Sequence, residues 1–302
     1  MRGRVIRASG RQCLVEADGV EYSCQIRGRL RERQRVSTSP VAAGDWVELQ
    51  TASQGGAVVE SVLPRRSKIS RMASGNRPFE QVLAANLDQF LVVVATQQPA
   101  LSTGFIDRAL VMALSGNVPP VICINKADLD PRTECGPIAD VYRGLGYEVL
   151  LTSALTGAGM DVIGDRFCGR VSILVGPSGA GKSSILNWIE PGLALATSEL
   201  MTHHDRGRHT TAATQLHRLA QGGFVADTPG VKQLQPWGVT PENLVDYFVE
   251  MAPLANSCQF RDCSHLHEPG CAIREAVEVG DIHSHRYDGY CRMAAASEDD
   301  SE

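Results

Sequence analysis

Along the first 64 residues apolar and polar positions alternate in short runs separated by turn residues: Gly3 to Ile6, Gln12 to Glu16, Glu21 to Ile26, Asp45 to Leu49 and Ala57 to Leu63. A period of two over runs of this length predicts strands, and about five strands in about 65 residues predict a small all-β barrel of the OB type. After Pro64-Arg65-Arg66-Ser67-Lys68, which reads as a linker, the grammar changes. Leu87 to Thr96 is nearly continuously apolar, as in a strand buried on both faces. Phe105 to Ser115 has helical periodicity, and Pro120 to Ile124 is a second buried strand. Strands alternating with amphipathic helical stretches predict an α/β unit with a parallel sheet. Thr240-Pro241 and the residues to Glu250 predict a helix with N-terminal capping residues, and the acidic end from Glu298 predicts disorder.

The most specific chemistry follows the apolar run Val171 to Val175. There Gly176-Pro177-Ser178-Gly179-Ala180-Gly181-Lys182-Ser183-Ser184 matches G-x-x-x-x-G-K-[ST] between a strand and a helix. Glycines let successive N–H groups turn inward around phosphate oxygens, and the following helix adds its positive end. Lys182 is expected on the β and γ phosphates, and Ser183 on Mg²⁺. Upstream, the buried strand at Ile124 ends in Asn125-Lys126-Ala127-Asp128. An aspartate here can accept from both N1–H and the 2-amino group of guanine, a donor pair that adenine lacks. Asn125 would brace the loop and Lys126 lie along the base. Tyr147 to Leu151 then runs into Thr152-Ser153-Ala154, where Ser153 and Ala154 would close over the base. Downstream, Gly223 to Ala226 runs into Asp227-Thr228-Pro229-Gly230, the D-x-x-G pattern. Asp227 is expected to reach Mg²⁺ through water and the Gly230 N–H to sense the γ phosphate. Between them Gly207-Arg208-His209-Thr210-Thr211 is a candidate switch loop, with Thr210 or Thr211 completing the Mg²⁺ shell.

Composition changes the picture in two places. The formal net charge is −5, which opposes nucleic-acid binding by the chain as a whole. Yet nine arginines (2, 4, 7, 11, 27, 29, 31, 33 and 35) stand in the first 35 residues against Glu16, Asp18, Glu21 and Glu32. The barrel is therefore expected to contact a phosphate backbone. Tyr22 and Trp46 are its only candidates for base stacking, so shape and phosphate recognition are expected rather than sequence readout. Of nine cysteines most are scattered singly, and the others cluster near the C-terminus. No secretory leader or membrane-spanning run is evident, so a cytoplasmic location is expected.

The elements come in an unusual order, with N-K-x-D and S-A ahead of the phosphate loop and D-x-x-G after it. With the N-terminal barrel and the cysteine–histidine cluster, this order closely resembles the small ribosomal subunit-dependent GTPase family (RsgA, also called YjeQ), across essentially the whole chain. The resemblance implies a circularly permuted GTPase flanked by an OB fold and a zinc domain, acting late in assembly of the 30S subunit. The expected units are residues 1–65 (OB-fold RNA-binding barrel), 66–235 (permuted GTPase) and 236–302 (mostly α zinc-binding domain with the acidic tail). The expected ligands are GTP/GDP, Mg²⁺ and one structural Zn²⁺. The expected partners are the 30S subunit and 16S rRNA, with no DNA, no membrane and a monomeric chain.

Cys258, Cys263, His265 and Cys271 form C-x4-C-x-H-x5-C, a closed tetrahedral set with no position left for a reactive water, which argues against a nuclease. His267 competes as the histidine, and the family pattern favours His265. Where many GTPases carry a water-orienting glutamine after D-x-x-G, this chain has Val231. Slow unaided turnover is the consequence. His209 is the candidate for the orienting group once RNA orders its loop, beside Lys182 and Thr211 as catalytic candidates; contact with RNA phosphate alone is the other role open to it. Two other classes remain. An ATP-dependent kinase would have no use for Asp128, and an RNA-binding protein with regulatory nucleotide binding would show no subunit-stimulated turnover.

Overall fold

The computed structural model describes residues 1–28, 30, 40–51, 56–73, 79–193, 214–227 and 234–299. Strands β1 (Arg2–Ser9), β2 (Gln12–Ala17), β3 (Val20–Ile26), β4 (Trp46–Thr51) and β5 (Ala57–Val62) form the expected barrel. It closes because β1 pairs with both β2 and β4, while β5 joins β4 to β3. Alternation puts Val5, Val15, Cys24, Val47 and Val59 inside. The β2–β3 hairpin turns on Asp18-Gly19, both at positive φ, the geometry that a two-residue Asp-Gly loop favours.

The Pro64–Lys68 connection is fixed rather than loose. Arg65 donates both arms of its guanidinium to Asp45, at 2.7 Å each, and the Asp45 side chain is fully buried. Asn86 accepts from the Arg66 N–H and donates to the Gly44 carbonyl. A hairpin that the sequence pattern did not suggest follows, β6 (Lys68–Met72) with β7 (Glu80–Ala85), and Ala84 bridges to Ala43 of the barrel side.

Strands β8 (Gln89–Ala95), β9 (Pro120–Asn125), β10 (Glu148–Leu151), β11 (Val171–Val175), β12 (Gln215–Arg218) and β13 (Phe224–Asp227) form the α/β sheet. Their order is β10-β9-β8-β11-β13-β12, parallel except for the β12–β13 pair. Every residue of β8 is buried, as its apolar run requires. Helices cover both faces: α1 (Thr103–Ser115), capped by Ser102, and α2 (Gly136–Gly144) lie on one, while α3 (Met160–Phe167) and α4 (Lys182–Ile189) lie on the other. At β12 the sheet passes into the barrel through the pair Arg7↔Gln215, so the two run on as one 11-stranded sheet.

The C-terminal part departs from expectation twice. Pro241 to Glu250 does not form a helix: only a 3-10 turn, Leu244–Tyr247, appears. The Asn243 side chain accepts from the Thr240 N–H and donates to the Gly238 carbonyl, which closes a local turn where a helix would have started. Leu244, Val245 and Phe248 are buried all the same. The last helix, α7 (Ser284–Asp299), carries Glu298 and Asp299, which were expected to be disordered; residues 300–302 lie outside the described residues. It follows α5 (Ala252–Ala255) and α6 (Ala272–Val279).

Helix α7 docks on α1 around a buried charge. Arg286, 1% exposed, bonds Asp107 at 2.5 Å and Glu250 at 2.6 and 3.2 Å, and Tyr142 donates to Asp107 at 2.8 Å. Its guanidinium also lies 4.6 Å from the Phe248 ring centre. The approach is close at Gly289, where a Cβ would stand 2.1 Å from Asp107 Oδ2. Burial pushes the Asp107 carboxyl up in spite of Arg286. Arg286→Met would strand two carboxylates in the interior, and we expect a loss of about 3–5 kcal/mol in urea unfolding.

His285 beside this network is half-buried, and its Nε2 has no hydrogen-bond partner among the described residues. Burial, helped by His283 and Arg286, pushes its pKa down to about 4 from 6.5. The unfolded chain therefore takes up a proton that the fold refuses. Stability from this site is complete above pH 6.5 and is lost as pH falls from 6.5 towards 4. A His285→Phe variant should show a shallower fall in urea midpoint over that interval.

Candidate functional site: nucleotide cleft and metal cluster

The phosphate loop leaves β11 at the carboxyl edge of the sheet and enters α4. Two of its glycines are dictated by space. A Cβ on Gly176 would sit 2.1 Å from the Val93 carbonyl oxygen, and one on Gly181, at φ +98°, would sit 2.1 Å from Asn125 Nδ2. Lys182 Nζ folds back over the loop onto the carbonyls of Gly176 (2.7 Å) and Pro177 (2.9 Å). Ser178, Gly179, Ser183 and Ser184 are exposed, and Ala180 is buried beneath them.

The base-reading elements meet this loop. Asn125, 1% exposed, donates to the Ala180 carbonyl at 3.0 Å. Its Oδ1 accepts from Thr152 Oγ1 at 3.3 Å and from the Ala154 N–H at 3.2 Å. One amide thus holds the phosphate loop and the S-A loop together. Ser153 Oγ donates to Asp128 Oδ1 at 2.5 Å, which fixes one carboxylate oxygen. Lys126 stands at φ +61°, its carbonyl receives Thr96 Oγ1 at 2.6 Å, and its ammonium reaches the Gln98 carbonyl. Thr96, Gln98 and Thr152 were missed by sequence reasoning: they follow apolar strands without any motif of their own.

Asp227 ends β13. In the β11–β13 register Ile173 pairs with Ala226, so Asp227 stands level with Leu174, just short of the phosphate loop. Burial raises its carboxyl, with His217 pulling the other way. These groups suit a nucleoside triphosphate and Mg²⁺: a glycine cradle that a Cβ would fill, an ammonium folded over it, and a carboxylate and a hydroxyl near one end. His209, Thr210, Thr211 and Gly230 lie outside the described residues, as does Val231.

The second site is the cysteine–histidine cluster. Ligand atoms of Cys258, Cys263, His265 and Cys271 all lie within 4.8 Å of one another. His265 Nδ1 faces Cys258 Sγ at 3.4 Å and Cys271 Sγ at 3.6 Å, and the two sulfurs are 3.9 Å apart. His265 is buried and His267 is exposed, so the geometry selects the former. Three thiols and an imidazole are a donor set for Zn²⁺ with all four positions filled. Tyr287 Oη donates to the His265 carbonyl at 2.8 Å and Tyr290 Oη to the Ser264 carbonyl at 2.9 Å, which ties the loop to α7. Burial lowers His265 and raises Cys263 to about 12, so a cation is what would draw off the thiol proton.

A phosphate loop, the N-K-x-D and S-A loops and Asp227 of the D-x-x-G pattern on one mostly parallel sheet, with the base-reading elements first in the chain, define a circularly permuted P-loop GTPase. Residues 62–237 match the family described as RsgA GTPase, and residues 2–59 match the RsgA N-terminal domain. The chain is 40% identical over 295 residues to the small ribosomal subunit biogenesis GTPase RsgA of Moorella thermoacetica, covering 98% of this chain and 97% of that protein. It is 39% identical to the protein of that name from Gemmatimonas aurantiaca, covering 96% and 95%. Among solved structures, YjeQ from Thermotoga maritima superposes with a TM-score of 0.78 at 34% identity, covering 98% of this chain and 97% of that one. YloQ, described as a circularly permuted GTPase, gives 0.73 at 29%, covering 100% and 96%. The chain belongs to the RsgA GTPase family and is a GTP-hydrolysing enzyme.

The metal cluster yields a direct test. Purified protein should release one Zn²⁺ per chain when its thiols are titrated with a mercurial, read with a metal-sensitive dye. A Cys271→Ser variant should carry less than about a tenth of an equivalent, because a closed site loses most of its affinity with one ligand.

Proposed function

We propose that this GTPase couples GTP hydrolysis to late maturation of the 30S ribosomal subunit, as a GTP-switched factor that binds 16S rRNA and is stimulated by the subunit. The observation that carries the guanine part is the pocket in which Asn125 ties the base loop to the phosphate loop while Ser153 holds Asp128. The ribosomal part rests on relatives such as those of Moorella and Gemmatimonas, which are named small ribosomal subunit biogenesis GTPases and align over nearly their whole length.

The work divides among residues 1–65, 66–235 and 236–302. The barrel faces RNA, the middle unit holds nucleotide, and the zinc unit fixes the C-terminal segment. In the middle unit the N–H groups from Gly176 to Ser184 bind phosphate oxygens, and Lys182 leaves the two carbonyls it now holds to pair with the β and γ phosphates. Asp128 accepts from guanine, with Lys126 along the base and Ser153 and Ala154 closing over it. Ser183, Asp227 through water, and Thr210 or Thr211 hold Mg²⁺, which when bound neutralises charge on the leaving phosphate. The Gly230 N–H senses the γ phosphate. Val231 has no group to orient water, so His209 supplies it once subunit RNA orders its loop. The chain acts as a monomer in the cytoplasm, on neither DNA nor membrane. Among the described residues no helix is long and apolar enough to cross a bilayer.

The test is GTP hydrolysis with and without purified 30S subunits. Turnover should rise by at least about tenfold with subunits, since an orienting group supplied on docking is worth 10²-fold or more. His209→Ala should lose that rise and keep its GDP affinity. Absence of stimulation in the wild type would overturn the ribosomal reading, and retained stimulation in His209→Ala would remove His209 from the mechanism.

A further inference from the structure

The barrel and the GTPase sheet meet along a seam that runs beside Asp227. In the β12–β13 pair Gln215 stands opposite Asp227, and Gln215 is also the residue through which β12 pairs with Arg7 of β1. Arg7, Gln215 and Asp227 therefore form one cross-strand row, from the barrel to the carboxylate expected at Mg²⁺. Strand β12 would otherwise be the open edge of the GTPase sheet, and the barrel closes it.

Beside that row a stack of guanidinium groups and rings crosses the same seam. Arg2 and Arg4 lie 4.6 and 4.5 Å from the Trp46 ring centre, Arg4 lies 5.5 Å from that of Phe224, and Arg218 lies 5.0 Å from that of Phe224. Arg218 closes the seam with an ion pair to Glu16 of β2. Arg4 Nε is buried with no hydrogen-bond partner among the described residues, and the ring faces of Trp46 and Phe224 are its neighbours in the stack. A ring face is a favourable contact for a guanidinium in such a place. Phe224 begins the four-residue strand that Asp227 ends, and is 9% exposed.

We propose that Phe224 is a positioning residue for subunit-stimulated hydrolysis alone: held in the Arg2–Trp46–Arg4–Phe224–Arg218 stack, it couples Asp227 to the barrel, so that RNA docking on the barrel bears on hydrolysis through this seam. The inference rests on the ribosomal reading of the barrel. It differs from that reading in naming the route, which passes through ring faces on β4 and β13 rather than through the nucleotide-binding groups themselves.

The test uses the full chain with GTP and purified 30S subunits. Phe224→Leu keeps an apolar side chain without a ring face, and Phe224→Tyr keeps the face. The leucine variant should retain unstimulated turnover, GDP affinity and subunit binding, and lose about tenfold of the stimulated kcat, a coupling of ordinary size. The tyrosine variant should recover it. Glu16→Gln, which leaves Phe224 in place and takes one strut from the rim, should give a smaller loss in the same direction and covers the case in which the leucine variant does not fold. Stimulation of the leucine and glutamine variants equal to wild type would overturn the proposal, as would a tyrosine variant as impaired as the leucine. A wild type that subunits do not stimulate would instead overturn the ribosomal reading itself.

Discussion

The side-chain amide of Asn125 holds the nucleotide cleft together. The Asn125 loop leaves β9 and the phosphate loop leaves β11, with β8 between them in the sheet, so no short connection keeps them in place. Asn125 reaches a carbonyl 55 residues away at Ala180 and an N–H 29 residues away at Ala154. Buried amides are costly unless both ends are satisfied, and here both are. The absence of a side chain at Gly181 is the other half of the contact, since a Cβ there would occupy the place of Asn125 Nδ2. The motif glycine thus serves a neighbouring loop as well as phosphate.

The C-terminal segment is held differently. Its core is small: Leu244, Phe248, Met251, Ile273 and Tyr290 pack with Cys271 and with Val111 of α1. The thiol–imidazole cluster closes the loop from Cys258 to Cys271, and two tyrosine hydroxyls carry that loop to α7. Arg286 then joins α7 to α1 by charge. A buried ion group of this kind adds little net stability over an apolar core, but it allows few registers between the two helices. The thiol–imidazole cluster, the hydroxyls and the guanidinium together do what a larger apolar core would do elsewhere.

Much of this was legible in the chain. The all-apolar run at Phe90 to Ala95 announced a doubly buried strand, and the phosphate loop, N-K-x-D and C-x4-C-x-H-x5-C carry chemistry that leaves few alternatives. The Asp18-Gly19 hairpin was equally readable, by its turn residues. The rest depends on contacts with no local signature. Arg286 and Asp107 are 179 residues apart, and nothing near either announces the other. The β6–β7 hairpin has a register shift between Ile69 and Ser70 that breaks its alternation. Pro241 to Glu250 carries helix-start residues, but the Asn243 side chain spends its hydrogen bonds on a turn. Trp46 looked free to stack on a base and is instead covered by Arg2 and Arg4, and Arg27 is paired with Glu60, so at least three of the nine N-terminal arginines are engaged within the fold.

The C-terminal unit attaches to one half of the sheet, and the barrel attaches to both. The C-terminal unit docks on α1, which connects β8 to β9 and so belongs with the base-reading half. The barrel is anchored beside β8 by Asp45 and Asn86 and touches the sheet again at β12, on the half that carries Asp227. Past the D-x-x-G segment, Trp237 donates to the Ser70 carbonyl and Pro236 bridges Arg71, so the chain returns to the β6–β7 hairpin before entering the C-terminal unit. Permutation brings this about by moving the chain ends: the segment after D-x-x-G becomes the exit from the sheet, and the base pocket is buried mid-chain. A change confined to the β12–β13 hairpin would therefore reach the barrel at one of its two anchors, while the base pocket and the cysteine–histidine unit stay together with the other. For a nucleotide whose β and γ phosphates differ between two states while its base does not, that is the division of the fold in which the difference can be felt outside the cleft.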